Sequence, residues 1–223
     1  MRRLPFITFE GSEGCGKSTQ VRRLVARLKE LAVPHLLTRE PGGTPIGECI
    51  RELLQFAPES AAMTGETELL LFEASRSQLV REIISPAIAR GDCVIADRFF
   101  DSTTVYQGAA RKLDQKIVEQ LNIFAVDGCV PDITFVLEVD LQTARARMQG
   151  PRRPDRMEQE TDEFYERVRQ GYRELAKQEP NRIVVIDGSQ SADKIAGQIW
   201  DIISQRFPAL LEDSHSINRD PRP

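Results

Sequence analysis

Eight residues near the start of the chain carry the strongest chemical signal. Gly11-Ser12-Glu13-Gly14-Cys15-Gly16-Lys17-Ser18 matches G-x-x-x-x-G-K-[ST], the spacing of a loop that wraps nucleotide phosphates. Gly11 and Gly16 permit backbone angles and close approaches that a Cβ forbids. The N–H groups of the loop and of the helix opening through Thr19 then converge on phosphate oxygens, aided by the positive helix end. Lys17 supplies a point charge for the β- and γ-phosphates, and Ser18 a hydroxyl for Mg²⁺. Glu13 stands out, because a carboxylate among groups built to hold anions repels phosphate by about 1 kcal/mol or more at ~4 Å. It is expected to point across the site and accept a hydrogen bond from an acceptor hydroxyl or ribose; facing solvent is the plain alternative.

A second group of residues falls where a partner to that loop would bind. The apolar run Cys93-Val94-Ile95-Ala96 ends in Asp97-Arg98, and ligands of open α/β sheets sit beyond the carboxyl ends of strands. Asp97 is placed to serve Mg²⁺ directly or through water, and Arg98 to clamp an acceptor phosphate. A local salt bridge is the alternative for that pair. Arg39-Glu40-Pro41-Gly42-Gly43-Thr44 closes another strand, and Ser102 to Gln107 follows the Asp97-Arg98 pair. Phe72 and Arg76 lie four apart on a helical stretch, hence on one face. An aromatic beside an arginine can stack on a base while the arginine binds its edge or its phosphate. Taken alone, Phe72 reads rather as a core aromatic, since most such aromatics pack inward.

The elements that must position these groups alternate along the chain. Short apolar runs at Phe6–Phe9, His35–Thr38, Cys93–Ala96, Ile133–Leu137 and Ile183–Ile186 read as buried strands. Helical spacing occupies the intervals: Val21, Leu24, Val25, Leu28 and Leu31 first, then 46–56, 66–89, 113–126, 143–148, 158–177 and 192–203. Strand and helix in alternation imply βαβ units, so the expected fold is a three-layer α/β/α domain around a five-stranded parallel sheet. One domain over 1–207 is expected, with no internal repeat and a polar, proline-bearing, disordered tail over 208–223.

Composition narrows the class. The 223 residues carry a net charge of -4, with 40% hydrophobic and 29% charged, which describes a globular protein and argues against a generic nucleic-acid or membrane-surface binder. Cys15, Cys49, Cys93 and Cys129 are scattered with no Cys-x-x-Cys pair, so metal and redox templates fail and reduced thiols are expected. The N-terminal MRRLPFITFEG is too broken by Pro5, Thr8 and Glu10 for a signal peptide. No run approaches the ~20 apolar residues of a membrane span, and a cytoplasmic location is expected.

FEGSEGCGKSTQ, TREPGGT, LLLFEASRSQLV and DRFFDSTTVYQG, in that order and spacing, resemble bacterial thymidylate kinases, a family of P-loop nucleoside monophosphate kinases. The resemblance runs from about Phe6 to Ile203 and implies a P-loop NTP hydrolase-like fold with a mobile lid, over about 149–157. It implies transfer of the ATP γ-phosphate to dTMP, giving dTDP for dTTP synthesis, with Mg²⁺ at Ser18 and Asp97, and a homodimer. By position it puts Phe72 on thymine, Arg76 on the base, Gln107 near the thymine edge with Ser102 in the same pocket, and Tyr106 against the sugar 2′ position. Arg39 and Arg98 would approach the dTMP phosphate, with Pro41 beside them, and Glu13 the 3′-hydroxyl. Phe99 and Phe100 depart from the polar and Tyr or His residues common at these positions.

One further segment reads as catalytic. Arg152 and Arg153 lie between Pro151 and Pro154, flanked by Arg145, Arg147 and Arg156. Arginines between helix breakers can close over a reacting phosphoryl group and exclude water. The resembled family divides into members with an extra arginine in the phosphate loop and members with it in the lid. This chain resembles the second kind, and Arg153 is the first choice, with Arg152 and Arg156 unranked behind it. The alternatives are a kinase for another nucleoside monophosphate or nucleoside, and a non-enzymatic nucleotide switch. The guanine motif Asn-Lys-x-Asp of such switches is missing here.

Overall fold

The structure, a computed structural model, describes residues 4–148 and 155–212. Strands β1 (Phe6–Glu10), β2 (His35–Arg39), β3 (Cys93–Asp97), β4 (Ile133–Glu138) and β5 (Ile183–Asp187) form one parallel sheet in the order β2-β3-β1-β4-β5. Every residue of β1 is buried, and β3 and β4 nearly so, because helices cover both faces and leave no polar side for alternation to show. Register aligns Phe9 with Asp97 and Glu10 with Val136. The chain order reverses at β1, between β3 and β4, and this opens a crevice at the carboxyl edge.

The helices are α1 (Lys17–Glu30), α2 (Pro45–Gln55), α3 (Gly65–Leu79), α4 (Ser85–Arg90), α5 (Phe100–Thr103), α6 (Gln115–Val126), α7 (Leu141–Met148), α8 (Asp162–Gln178), α9 (Ala192–Arg206) and α10 (Ala209–Glu212). On one face Ile7, Phe9 and Ile95 meet Leu24 and Leu28 of α1 and Ile199 and Ile203 of α9. On the other, Phe6, Val94 and Ala96 meet Leu79, Ile84 and Ala87. Thr44, Thr64, Thr161 and Ser191 cap α2, α3, α8 and α9 by accepting from an N–H three residues on, each worth about 1 kcal/mol.

Three expectations are revised. The helix expected over 66–89 is two helices joined by a π-helical turn, Val80–Ile84. Pro86 lacks an N–H and crowds the preceding turn, so the ladder widens before it. The segment after β3, given no element, folds as α5 and a π-helical stretch, Thr104–Ala110. The disordered tail does not begin at Pro208. Leu210 of α10 is fully buried in the core with Leu28 and Ile203, so its burial extends the folded chain to 212; residues 213–223 lie outside the described residues.

Candidate active site

The phosphate loop bridges β1 and α1 at the crevice. Gly11 sits at φ +129°, where a Cβ would strike the Leu137 carbonyl, so both conformation and space demand glycine. Gly16, at φ +102°, has no atom within 4 Å of where a Cβ would lie, so its requirement is conformational alone. Lys17 is nearly buried and donates from Nζ to the carbonyls of Gly11 at 3.0 Å and Ser12 at 2.8 Å, with Cys15 Sγ at 3.6 Å. Its charge therefore lies along the floor of the loop that Gly14 and Gly16 curl over. Ser18 Oγ donates to Asp97 Oδ2 at 2.8 Å, joining the first turn of α1 to the end of β3. A hydroxyl and one carboxylate, both hard oxygen donors at an open edge, suit Mg²⁺, which keeps several waters and takes its remaining ligands from phosphates. Among the described residues no cluster of three His, Cys, Asp or Glu could cage a metal on its own.

Glu13 does point across the crevice. Its Oε1 accepts from Arg98 Nη2 at 2.6 Å and its Oε2 from the Tyr106 hydroxyl at 2.9 Å. Burial alone would raise its pKa, but the Arg98 and Lys17 charges and the Tyr106 hydrogen bond outweigh that and hold it below the usual range. Arg98 has a left-handed backbone, φ +71°, a conformation costing an L-residue roughly 1–2 kcal/mol. The twist directs the guanidinium inward, where Nη1 donates to Ser102 Oγ at 3.0 Å and the group lies 5.1 Å from the Tyr106 ring centre. Strain of this kind persists only where the surroundings over-determine it.

One of those surroundings, Glu10, went unseen in the sequence. It is fully buried at the end of β1, accepts from Phe99 N–H at 2.8 Å, Ser102 Oγ at 2.6 Å and Tyr172 Oη at 2.8 Å, and lies 3.9 Å from Arg98. Burial pushes its carboxyl pKa up against the pull of Arg98 and these hydrogen bonds. The available signal was a carboxylate closing an otherwise apolar strand directly before Gly11.

Beyond Arg98 lies a pocket lined by Glu13, Pro41, Phe72, Ser102, Tyr106 and Gln107, together with Gln55, Thr103, Asp155 and Met157. Phe72 is half-exposed on its wall rather than packed in the core. Arg76 lies behind that wall. It is 1% exposed, and its N–H groups go to Glu40, Glu73, Asn122 and Thr103, which engages all five donors. It braces the wall from behind, through Thr103 and through Glu40, whose carboxyl burial lifts to about 7 despite the guanidinium. Arg39 also stays out of the pocket, in a bidentate pair with Glu48 at 2.9 Å on the exposed side. Such a surface pair is worth at most about 1 kcal/mol, so little opposes its turning to another anion. Arg153 and Arg152 lie outside the described residues. Arg156 is described, and donates to Glu68 rather than toward the crevice.

A bed for a triphosphate facing an aromatic-walled pocket, with an arginine and a carboxylate between them, defines a P-loop kinase that brings two nucleotides together. The model of the family described as Thymidylate kinase matches residues 9–199. The chain belongs to the thymidylate kinase family. It is 46% identical over 209 residues to the thymidylate kinase of Geobacter sulfurreducens, covering 91% of this chain and 98% of that one. The enzyme of Kosmotoga olearia is 46% identical over 194 residues, 87% and 92% of the two chains. The crystal structure of thymidylate kinase from Ehrlichia chaffeensis superposes with a TM-score of 0.74 at 35% identity, over 91% of this chain and 99% of that one.

Proposed function

We propose that this protein transfers the γ-phosphoryl group of ATP to dTMP, giving dTDP for dTTP synthesis. The observation that carries the reading is the pocket across from the phosphate loop, in a chain that matches thymidylate kinases over nearly its whole length. The loop from Gly11 to Thr19 holds the triphosphate, with Lys17 moving from the loop carbonyls to the β- and γ-phosphates. Arg98 exchanges Glu13 for the dTMP phosphate, and Arg39 approaches the same anion. Glu13, released on one side, takes the 3′-hydroxyl, while Phe72 stacks on thymine and Tyr106 fills the space of a 2′-hydroxyl. Ser18 and Asp97 would hold Mg²⁺, which would supply charge that screens the phosphates from each other. The acceptor phosphate is already anionic at neutral pH, so transfer needs alignment and charge balance more than a base. Arg153 is the proposed lid cation.

The test is phosphorylation of dTMP, dUMP, dCMP, AMP and thymidine in parallel. dTMP should exceed each of the others in kcat/KM; preference for another acceptor, or ATP binding with no transfer, refutes the reading.

A homodimer is proposed for the layer made by α2, α3 and α6, which pack side by side. Ile46 and Leu53, Leu70, and Ile117 and Phe124 are 39–72% exposed across it, in two cases at i and i+7 on one helix face. Sedimentation of the wild type as a dimer, and of Phe124→Glu as a monomer, is the expected result. Among the described residues no helix is long and apolar enough to cross a membrane, and the four cysteines are free thiols; both suit the proposed cytoplasmic location.

A further inference from the structure

Behind the pocket wall lies a carboxylate with no role so far. Glu68, on α3, is fully buried and accepts from three side chains. Gln107 Nε2 donates to its Oε1 at 2.6 Å, Arg111 donates from Nε and Nη2 at 3.0 Å each, and Arg156 Nη2 reaches Oε2. The arginines are themselves tied down. Arg111 Nη2 also donates to Glu160 Oε1 at 2.5 Å, and Arg156 Nε to the Leu54 carbonyl at 3.1 Å. Glu68 and Glu160 thus balance Arg111 and Arg156, and the Glu68 carboxylate has no freedom to turn. Burial alone would raise its pKa, but the bonds from Arg111 and Gln107 and the two guanidinium charges hold it below the usual range.

An ionised carboxylate only accepts hydrogen bonds. The Gln107 amide must therefore turn its NH₂ toward Glu68, which leaves Oε1 for the opposite side. An amide by itself leaves that choice open. Gln107 lines the pocket with Phe72, and Glu68 does not.

We propose that Glu68 is a positioning residue for base selection: it locks the Gln107 amide with Oε1 toward the pocket, so that the site reads a pyrimidine bearing a hydrogen on N3. The inference rests on the proposed acceptor being dTMP. Thymine offers N3–H to that oxygen. Cytosine presents a bare N3, and the two lone pairs oppose each other. A site arranged for one hydrogen-bond polarity rejects the wrong base strongly, because a buried polar group is then left unpaired.

The test compares wild type with Glu68→Gln on dTMP, dCMP and N3-methyl-dTMP. Gln at 68 can present either end of its amide, so Gln107 regains its freedom. The ratio of kcat/KM for dTMP over dCMP should fall at least about 10-fold, and the penalty for N3-methylation should shrink with it. A merely structural role would lower all three substrates by one factor, and an unchanged ratio overturns the inference. In a Gln107→Leu background, Glu68→Gln should leave the ratio where it is; a further change there also overturns it. If Glu68→Gln does not fold, the wild type decides. With ¹⁵N-glutamine labelling and dTMP bound, the Gln107 amide protons should show NOEs to Arg111. NOEs to the thymine imino proton instead overturn the inference. A wild type that ignores dTMP removes the proposed function and this inference together; one that uses dTMP beside an unchanged ratio removes this inference alone.

Discussion

Lys17→Ala should lower kcat/KM by about 10³-fold or more, since removing one preorganised charge from a transferring phosphoryl group costs on this scale. Lys17 lies on the loop floor, and among the described residues its Nζ bonds only to the Gly11 and Ser12 carbonyls and Cys15 Sγ. Those carbonyls are weak, neutral partners beside a triphosphate, so the charge is available to move. Lys17→Arg should not restore activity. The pocket under the loop holds a nearly buried single ammonium, whereas a planar guanidinium needs a fork-shaped site. The measurement is steady-state ADP formation with dTMP, with circular dichroism confirming the fold. Activity within about tenfold of wild type would mean that the loop is not the triphosphate bed. Arg153→Ala, assayed beside it, should lower kcat and leave both KM values close to wild type, as for a cation that acts only in the transition state.

Arg98→Ala is expected to lower kcat/KM for dTMP by about 10²–10⁴-fold while ATP affinity changes little. Arg98 stands between Glu10, at 3.9 Å, and Glu13, at 2.6 Å. Its loss removes the clamp on the acceptor phosphate and leaves the buried Glu10 and the half-buried Glu13 facing a second anion with no cation between them. Burial already raises the Glu10 pKa even with Arg98 present, so the variant pocket should take up a proton there. Arg98→Lys should recover little, because bonds from one guanidinium to Ser102 Oγ and Glu13 Oε1 require the fork. Arg98→Gly separates backbone from charge: at φ +71° glycine relieves about 1 kcal/mol of strain, so it should melt above Arg98→Ala yet be equally inactive. Titration calorimetry with dTMP and with ATP decides. Equal weakening of both ligands would show a damaged fold rather than a lost clamp.

The π-helical stretch Thr104–Ala110 shows why part of the pocket could not be drawn beforehand. It carries Tyr106 and Gln107, and its lengthened turn arises from packing against α6 and α8, not from a local residue pattern. Arg76 shows the same limit from the other side. Helical spacing correctly put it on the face of Phe72, but spacing is blind to Glu40, 36 positions away, which takes the guanidinium inward. The expectation for Glu13 succeeded as far as direction, because electrostatic repulsion by phosphate is a local argument. Its partner Arg98, 85 positions on, needed the register of β1 against β3 to bring it near.

Contiguous motifs and apolar periodicity were enough for the five parallel strands, the phosphate loop, and the family, since glycine geometry and strand burial are written in neighbouring residues. The placement of Glu10 under Arg98, the left-handed turn that aims that arginine, and the Glu68 cluster that orients Gln107 came only with the folded chain. Each joins residues from separate elements, and the free energy of a buried charge depends on everything that surrounds it in three dimensions.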